Sequence, residues 1–129
     1  MYRLTDKSVL LVDDSTIMRM VITMNLKRLL GVKITEAVNG QDALAKMDNG
    51  TFDLVLTDIN MPILDGIGLV RELREKRKTE VPIVIITTKG ETKDRDLGMS
   101  LGANGYITKP VDMKELMWTV LKYLRGPRH

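Results

Sequence analysis

Polar residues that could bind a metal ion and a phosphoryl group stand at the ends of four separate apolar runs in this 129-residue sequence. They are three carboxylates, a hydroxyl and an ammonium group: Asp13, Asp14, Asp58, Thr87 and Lys109. Each has an ordinary explanation by itself, because an Asp pair after a strand usually caps a helix and a Thr there usually serves a turn. Their combination is informative, since the groups follow different runs.

Three carboxylates held close together repel one another and resist full ionisation. A hard divalent cation relieves that repulsion, and Mg²⁺ prefers carboxylate, water and phosphate oxygens. One carboxylate can then act as a nucleophile toward phosphorus and form an aspartyl phosphate. Lys109 and a threonine hydroxyl would neutralise or hydrogen-bond the transferred oxygens, which is most of what a protein contributes to phosphoryl transfer. The residue types therefore predict magnesium-dependent phosphorylation of an aspartate.

Composition restricts the class of protein. The chain has no cysteine, which excludes disulfides and Cys-ligated zinc, and its only histidine is His129. No apolar run approaches the ~20 residues that a bilayer requires, and the first seven residues lack the apolar centre of a signal peptide. We therefore expect a cytoplasmic protein without membrane contact. A solvated basic helix face near residues 71–78 accounts for the net charge of +3.

Two kinds of segment alternate along the chain. Short apolar runs, typical of buried parallel strands, occur at residues 9–12, 32–38, 54–56, 83–86 and 106–107. Amphipathic helices are predicted from Thr16 to a stop at Gly31, and at residues 40–47, 67–76, 92–101 and 112–124. This alternation predicts an α/β fold, a doubly wound five-stranded parallel sheet built from five strand–helix units. The domain is expected to span residues 1–129, with a frayed tail at 125–129.

Ligands of open parallel sheets bind beyond the carboxyl ends of the strands, where this fold would collect the polar residues. The turn after the first strand, residues 13–16, is acidic and lacks a glycine-rich loop, which argues against nucleotide or flavin binding. A hydrolase with an Asp nucleophile is also disfavoured, because the sequence offers no second acid–base carboxylate and no substrate lid.

These motifs resemble the CheY-like receiver domain of two-component response regulators. Over residues 7–124 the matching positions occur in the family's order: Asp13, Asp14, Asp58 within residues 56–62, Asp65, Gly66, Thr87, Lys109 and Pro110. The resemblance implies a flavodoxin-like strand order of 2-1-3-4-5, which is carried over from the family and not obtained from the pattern. It also implies a cis peptide bond between Lys109 and Pro110.

By this resemblance Asp58 is the phosphoacceptor, and Thr87 and Lys109 contact the phosphoryl oxygens. The implied ligands of Mg²⁺ are Asp13 through water, Asp14, Asp58 and the backbone carbonyl of Asn60. Such a domain accepts a phosphoryl group from a histidine kinase and loses it by hydrolysis, and we expect no other enzymatic activity.

The family signals by a population shift between an inactive and an active arrangement. Tyr106 stands where the family keeps an aromatic residue that rotates inward when Thr87 moves. The implied output surface comprises the fourth helix, the fifth strand and the fifth helix, around Arg95, Met99, Tyr106 and Trp118. Trp118 lies roughly opposite Leu116 and Val120 on the helical wheel, which predicts a partly exposed side chain.

Three positions depart from the family pattern. Thr88 is bulkier than the usual small residue, and Lys89 adds a charge beside the phosphorylation site. Both would alter how water reaches the acyl phosphate and therefore its lifetime. Arg95 replaces an apolar contact that is frequent in chemotaxis members.

The segment 98–106 looks most like the chemotaxis subgroup. The leading hypothesis is therefore a stand-alone regulator that is monomeric when unphosphorylated and acts through protein contact, without direct DNA binding. Two alternatives stay open. One is a phosphorelay carrier that passes its phosphoryl group to a histidine of another protein, and the other is a receiver excised from a longer transcription regulator.

Overall fold

A computed structural model of the chain describes residues 3–125, in which five strands and five helices alternate. The strands are β1 (Ser8–Val12), β2 (Lys33–Ala37), β3 (Leu54–Asp58), β4 (Ile83–Thr87) and β5 (Gly105–Thr108). The helices are α1 (Thr16–Leu30), α2 (Gly40–Asp48), α3 (Gly66–Arg71), α4 (Thr92–Leu101) and α5 (Met113–Arg125). The predicted alternation is confirmed. Helix α5 includes Arg125, and the rest of the predicted tail lies outside the described residues.

The strands form one parallel sheet in the order β2-β1-β3-β4-β5, so the expected doubly wound topology is confirmed. The chain winds first toward β2 and then, from β3 onward, toward the opposite edge. The reversal falls between β1 and β3, and their carboxyl ends border the crevice where ligands of such sheets bind.

Helices cover both faces of the sheet, because the central strands are apolar on both sides. In β1, Val9 and Leu11 pack with buried residues of α1 and α5, whereas Leu10 and Val12 pack with buried residues of α2 and α3. All four side chains are fully buried. Burying a side chain of this size stabilises a fold by about 1.5–3 kcal/mol, so the two-sided core fixes the strands that carry the polar residues.

The edge strands are less buried than the predicted apolar runs suggested. Only Ala37 is buried in β2, and Val38, which the prediction included in this strand, lies beyond it and is 45% exposed. In β5 only Ile107 is buried. The expectation of two-sided burial is wrong for these strands, because an edge strand has a neighbour on one side only and the covering helices do not enclose it.

Local signals set the helix boundaries. Ser15 caps α1, its hydroxyl accepting a hydrogen bond from the Met18 N–H at 3.2 Å. The helix stops at Gly31, which adopts φ +71°, as its position in the sequence predicted. Because Ser15 is the cap, Asp13 and Asp14 are not used as the helix cap, and the ordinary explanation of the Asp pair does not apply.

The third predicted helix, residues 67–76, consists of two segments. Helix α3 ends at Arg71 and continues as a π-helical turn, Glu72–Lys76, that buries Leu73. Arg74 of this turn donates to the Gly102 carbonyl oxygen at 3.0 Å and to the Thr79 carbonyl oxygen at 2.8 Å. The turn thus joins α3 to the segment between α4 and β5. Within residues 3–125, no helix combines the length and apolar character needed to cross a membrane.

Candidate functional site

The pairing of β1 with β3 brings two of the predicted acids together. Asp13 follows β1 directly, Asp58 is the last residue of β3, and Val12 is paired with Thr57. Asp13 and Asp58 come directly after this pair, so they are neighbours across the two strands. Both acids lie at the carboxyl ends of the strands, on the predicted edge of the sheet.

Asp14 completes a group of three carboxylates. One oxygen from each of Asp13, Asp14 and Asp58 lies within 4.8 Å of the other two. Asp13 and Asp58 are buried, and Asp14 is exposed. Oδ1 of Asp13 accepts a hydrogen bond from the Ser15 N–H at 2.9 Å, whereas its buried Oδ2 has no hydrogen-bond partner among the described residues.

The electrostatics of this group follow from its burial. Burial raises the pKa of Asp13 above the ordinary value of 3.8, and the hydrogen bond from Ser15 and the charge of Lys109 oppose that rise only in part. Burial also raises the pKa of Asp58, with Lys109 opposing the rise and Asp13 adding to it. Negative charge at this site is thus incompletely compensated by the protein.

The donor set fits a divalent cation. Three carboxylates supply hard oxygen ligands, and the unpartnered Oδ2 of Asp13 is a buried acceptor that a cation would satisfy. A positive ion there would also favour the ionised forms that burial disfavours. Asp13, Asp14 and Asp58 could therefore hold Mg²⁺, with Asp14 on the solvent side.

Asp58 is held in place by both of its carboxylate oxygens. Oδ1 accepts a hydrogen bond from the Ile59 N–H at 2.9 Å, and Oδ2 lies 3.2 Å from Nζ of Lys109. The Lys109–Pro110 peptide bond is cis, as expected. The residue itself is only 5% exposed. A carboxylate in this position is oriented by the main chain and paired with the ammonium group of Lys109.

A glycine lets α3 approach this strand end. A Cβ atom on Gly66 would lie 2.2 Å from the carbonyl oxygen of Asp58, so no other residue fits without displacing the main chain. The Gly66 N–H donates to the Ile59 carbonyl oxygen at 2.8 Å. Asp65 caps α3 by accepting from the Gly68 N–H at 2.8 Å. The Asp65 and Gly66 positions of the motif therefore seat the helix against the loop after Asp58.

Thr87 ends β4 and is 1% exposed. Its hydroxyl donates to the Thr88 carbonyl oxygen at 3.2 Å. Its own carbonyl oxygen accepts from the Lys109 N–H at 2.7 Å, which ties the end of β4 to the segment after β5. The structure therefore brings Thr87 and Lys109 to the same rim as the acids, with the Thr87 hydroxyl directed to its own loop.

Glu91 joins this rim although none of the predicted motifs includes it. Its Oε1 accepts from the Thr88 N–H at 2.9 Å and from the Thr88 hydroxyl at 2.6 Å, and its Oε2 accepts from the side-chain amide of Asn60. These bonds, led by that from the Thr88 hydroxyl, lower the pKa of Glu91. The local signal in the sequence is the three-residue spacing between Thr88 and Glu91, which closes a turn just before α4. Asn60 itself is exposed, two residues after Asp58, and the role of its carbonyl as a ligand stays a prediction.

The predicted output surface is partly exposed. Tyr106 is 45% exposed, and the Arg95 guanidinium carbon lies 4.8 Å from the centre of its ring. Trp118 is 51% exposed, which confirms the helical-wheel prediction. Met99 is half-buried and packs against the core formed with α2 and α3, and its part in an output surface stays a prediction.

Comparisons with known proteins agree with this geometry. Residues 9–121 match the model of the response regulator receiver domain. The chain is 39% identical over 120 residues to the transcriptional regulatory protein ResD of Bacillus subtilis, covering 93% of this chain and 49% of ResD. It is 35% identical to the probable transcriptional regulator ycf27 of Cyanophora paradoxa, covering 92% and 48%. The chain thus spans about half the length of these curated relatives.

Solved structures with the same fold include a chemotaxis response regulator. The chemotaxis response regulator CheY4 of Vibrio cholerae superimposes with a TM-score of 0.82 at 30% identity, covering 91% of this chain and 98% of that chain. The receiver domain of the Francisella response regulator 1452 gives 0.85 at 29% identity, covering 92% and 97%. The family match over most of the chain, the strand order and the acid cluster lead to one conclusion: the chain belongs to the response regulator receiver domain family.

Proposed function

We propose that the chain accepts a phosphoryl group on Asp58 from the phosphohistidine of a histidine kinase. The observation that carries the proposal is the surroundings of Asp58, a buried carboxylate that is paired with Lys109 and grouped with Asp13 and Asp14. Membership of the receiver family supports the same chemistry. The three acids and the backbone carbonyl of Asn60 would hold Mg²⁺, which when bound neutralises charge on the phosphoryl oxygens.

In the transfer step, a carboxylate oxygen of Asp58 attacks phosphorus. The bond between phosphorus and the imidazole nitrogen of the donor breaks, and its electron pair stays on that nitrogen. Lys109, already 3.2 Å from Asp58, supplies a fixed positive charge for the anion that is transferred. Thr87 would donate its hydroxyl to a phosphoryl oxygen after leaving the Thr88 carbonyl. Hydrolysis of the acyl phosphate reverses the modification, and we propose no catalysis on another substrate.

The signal would be a population shift. The outward position of Tyr106, with Arg95 stacked on its ring, is the starting arrangement. The phosphoryl group would favour the alternative in which Thr87 has moved to contact it and Tyr106 has turned inward. The surface of α4, β5 and α5 would then present a changed face to a protein target, with Trp118 as an exposed anchor.

For the wider role, we propose a cytoplasmic regulator of the chemotaxis type that is monomeric when unphosphorylated. Segment 98–106 and the structural similarity to CheY4 at 30% identity support this role. The expectation that the protein does not bind DNA finds no support among the curated relatives, which are named transcriptional regulators.

A receiver within a longer transcription regulator is the second candidate. The 39% identity to ResD favours it, because the match covers only 49% of that protein. The extent of the open reading frame decides between the two, and a DNA-binding domain encoded in the same frame would overturn the stand-alone role. A phosphorelay carrier, by contrast, would return the phosphoryl group from Asp58 to the histidine of a phosphotransfer domain.

The test is the intact mass after incubation with acetyl phosphate and Mg²⁺. We expect the wild type to gain one phosphoryl group, dependent on Mg²⁺, and Asp58→Asn to gain none. Asp53→Asn is a suitable control, since Asp53 lies at the opposite end of β3. Modification of Asp58→Asn at the wild-type rate would contradict the assignment, as would a wild type that forms neither the acyl phosphate nor a beryllofluoride adduct.

A further inference from the structure

One carboxylate joins two loops at the rim of the acceptor site. The loop between β3 and α3 carries Asn60, and the loop between β4 and α4 carries Thr88. Glu91 lies 31 residues beyond Asn60 in the sequence and accepts hydrogen bonds from both side chains. Its carboxylate therefore bridges two segments that both border Asp58 and would both have to accommodate a phosphoryl group there.

The contacts of Thr88 also fix the direction of the Thr87 hydroxyl. The N–H and the hydroxyl of Thr88 both donate to Oε1 of Glu91. The Thr88 carbonyl oxygen accepts from the Glu91 N–H at 3.1 Å and from the Thr87 hydroxyl at 3.2 Å. While Glu91 holds this turn, the acceptor for the Thr87 hydroxyl stays in its own loop, and the hydroxyl is not directed to a group on Asp58.

The same residue connects the rim to the output surface. In the first turn of α4 the Arg95 N–H donates to the Glu91 carbonyl oxygen at 2.9 Å. The guanidinium of Arg95 then stacks on Tyr106 at 4.8 Å. A displacement of Glu91 would therefore reach Tyr106 through one helical turn.

We propose that Glu91 is a positioning residue that holds the rim in its resting arrangement, so that a phosphoryl group on Asp58 has to displace it from Thr88 and Asn60. This inference rests on the proposed phosphorylation of Asp58. The carboxylate also places a negative charge at a rim that an anionic group approaches, and because its hydrogen bonds are exposed to solvent this repulsion is the smaller of the two effects. Both effects weaken the binding of an anionic group at Asp58. Removal of the Glu91 carboxylate should therefore strengthen that binding.

The test uses beryllium fluoride with Mg²⁺ as the probe and isothermal titration calorimetry as the measurement, on the full chain. A coupling of the usual size between two sites changes affinity about 5-fold or more, and we expect the apparent Kd of Glu91→Ala to fall by at least that factor. Glu91→Gln keeps an oxygen for Thr88 but loses the charge, so its Kd should lie between those of Glu91→Ala and the wild type. Thr88→Val, which lacks the hydroxyl, should shift the Kd in the same direction by a smaller factor.

Glu115→Gln is the matched control. Glu115 is an exposed acid in the first turn of α5, so the substitution makes the same change in net charge at a similar place in a helix. We expect it to leave the Kd at the wild-type value. An equal fall in Kd for Glu115→Gln and Glu91→Gln would mean that net charge alone is responsible, and would overturn the role of Glu91.

If Glu91 served only the stability of the fold, the fall in Kd expected for Glu91→Ala would not occur. If Glu91 only stabilised the fold, Glu91→Ala would lower the thermal midpoint without ligand and would bind beryllium fluoride more weakly or unchanged, and either Kd result overturns the proposal. The rate of phosphorylation as a function of acetyl phosphate concentration gives a second readout, and half-saturation should fall in Glu91→Ala. Failure of the proposed function is distinguishable, because then the wild type and Asp58→Asn would behave alike.

Discussion

Asp13 and Asp58 are carboxylates in positions where ionisation is unfavourable. Both are almost fully buried, and burial raises the pKa of each despite the positive charge of Lys109. Oδ2 of Asp13 is in addition buried without a hydrogen-bond partner among the described residues. Selection for stability alone would not keep a buried carboxylate with a raised pKa and an unpartnered oxygen. Such a carboxylate is explained if it serves to bind a cation.

Asp13→Asn should therefore stabilise the metal-free protein. Removing a buried charge of this kind typically adds about 0.5–2 kcal/mol to the free energy of unfolding, measured by urea denaturation at neutral pH without Mg²⁺. The folded-state pKa of Asp13 is raised, so protonation favours the folded wild type. The advantage of the variant is then full at neutral pH, shrinks as the pH falls through the raised pKa of Asp13, and is gone once the pH lies below the ordinary value of 3.8.

Asp96→Asn is the control for that substitution. The Asp96 side chain is 67% exposed on α4, so its replacement should change stability by no more than about 0.5 kcal/mol. A loss of stability in Asp13→Asn would mean that the Asp13 carboxylate is compensated by the protein itself, and would argue against its role as a ligand.

Gly66→Ala should destabilise the fold at the acceptor loop. The added Cβ would lie 2.2 Å from the Asp58 carbonyl oxygen, which belongs to the main chain and cannot move like a flexible side chain. Overpacking of this kind costs about 1–3 kcal/mol, measurable by chemical denaturation. Gly90→Ala is the matched control, because nothing lies within 4 Å of the position that a methyl group at residue 90 would occupy. Equal stabilities of the two variants would show that α3 is not held against Asp58 as described.

At the scale of the elements, the same apolar pattern has different outcomes in different strands. Residues of β1, β3 and β4 are buried almost throughout, whereas β2 and β5 are largely half-exposed. The three central strands have a neighbour on each side and helices on both faces. They carry Asp13, Asp58 and Thr87 at their ends, so the most rigid strands position the proposed chemistry. The edge strand β5 carries Tyr106, the exposed side chain that would turn inward in the proposed switch.

Arg74 in the π-helical turn should contribute more to stability than other arginines of the same segment. It donates to the carbonyl oxygens of Gly102 and Thr79 and to Oδ1 of Asn104, all within 3.0 Å. Arg74→Met keeps the apolar part of the side chain and removes these donors. We expect a loss of about 1–3 kcal/mol in the free energy of unfolding, measured by urea denaturation.

Arg71→Met is the matched control for Arg74. Arg71 is half-exposed and pairs with Glu75 at 3.4 Å, a surface interaction worth about 0–1 kcal/mol. Comparable losses in the two variants would indicate that the bonds of Arg74 are replaced by water and that the π-helical turn is not anchored through this side chain.

For the whole molecule, Mg²⁺ should act as a stabilising ligand. A ligand that binds only the folded state at 100 times its Kd stabilises that state by about 2.7 kcal/mol, which appears as a rise in the thermal midpoint. The raised pKa values of Asp13 and Asp58 mean that protons compete with the metal at higher pH than for an ordinary carboxyl. The stabilisation should therefore be lost as the pH falls from neutral, before it reaches 3.8.

Thermal unfolding with and without MgCl₂ over a pH series measures this effect. Asp13→Asn and Asp58→Asn should each reduce the rise in midpoint, because both remove a proposed ligand. An undiminished response to Mg²⁺ in both variants would place the metal elsewhere in the molecule.

The alternation of strands and helices could be predicted because the spacing of apolar residues differs between the two: strands appear as short unbroken apolar runs and helices as apolar residues three or four positions apart. Three groups of the site could be predicted for a related reason: Asp58, Thr87 and Lys109. Each lies at the end of a strand or directly after it, and the carboxyl ends of parallel strands lie at the same edge of the sheet. Glu91 could not be placed in the same way. Its bond to Asn60 joins residues 31 positions apart, and no periodic signal marks such a contact.

The amino-acid sequence by itself determined the fold class, the family and the edge of the sheet where the polar groups meet, because these depend on local pattern and on chain order. The tertiary structure decided which carboxylates are buried, which strands lie at the edges and which way the Thr87 hydroxyl and Tyr106 are turned. These properties depend on what packs against each side chain from distant parts of the chain. The raised pKa of Asp58 and the bridge through Glu91 arise only when β1, β3 and β4 bring their ends together.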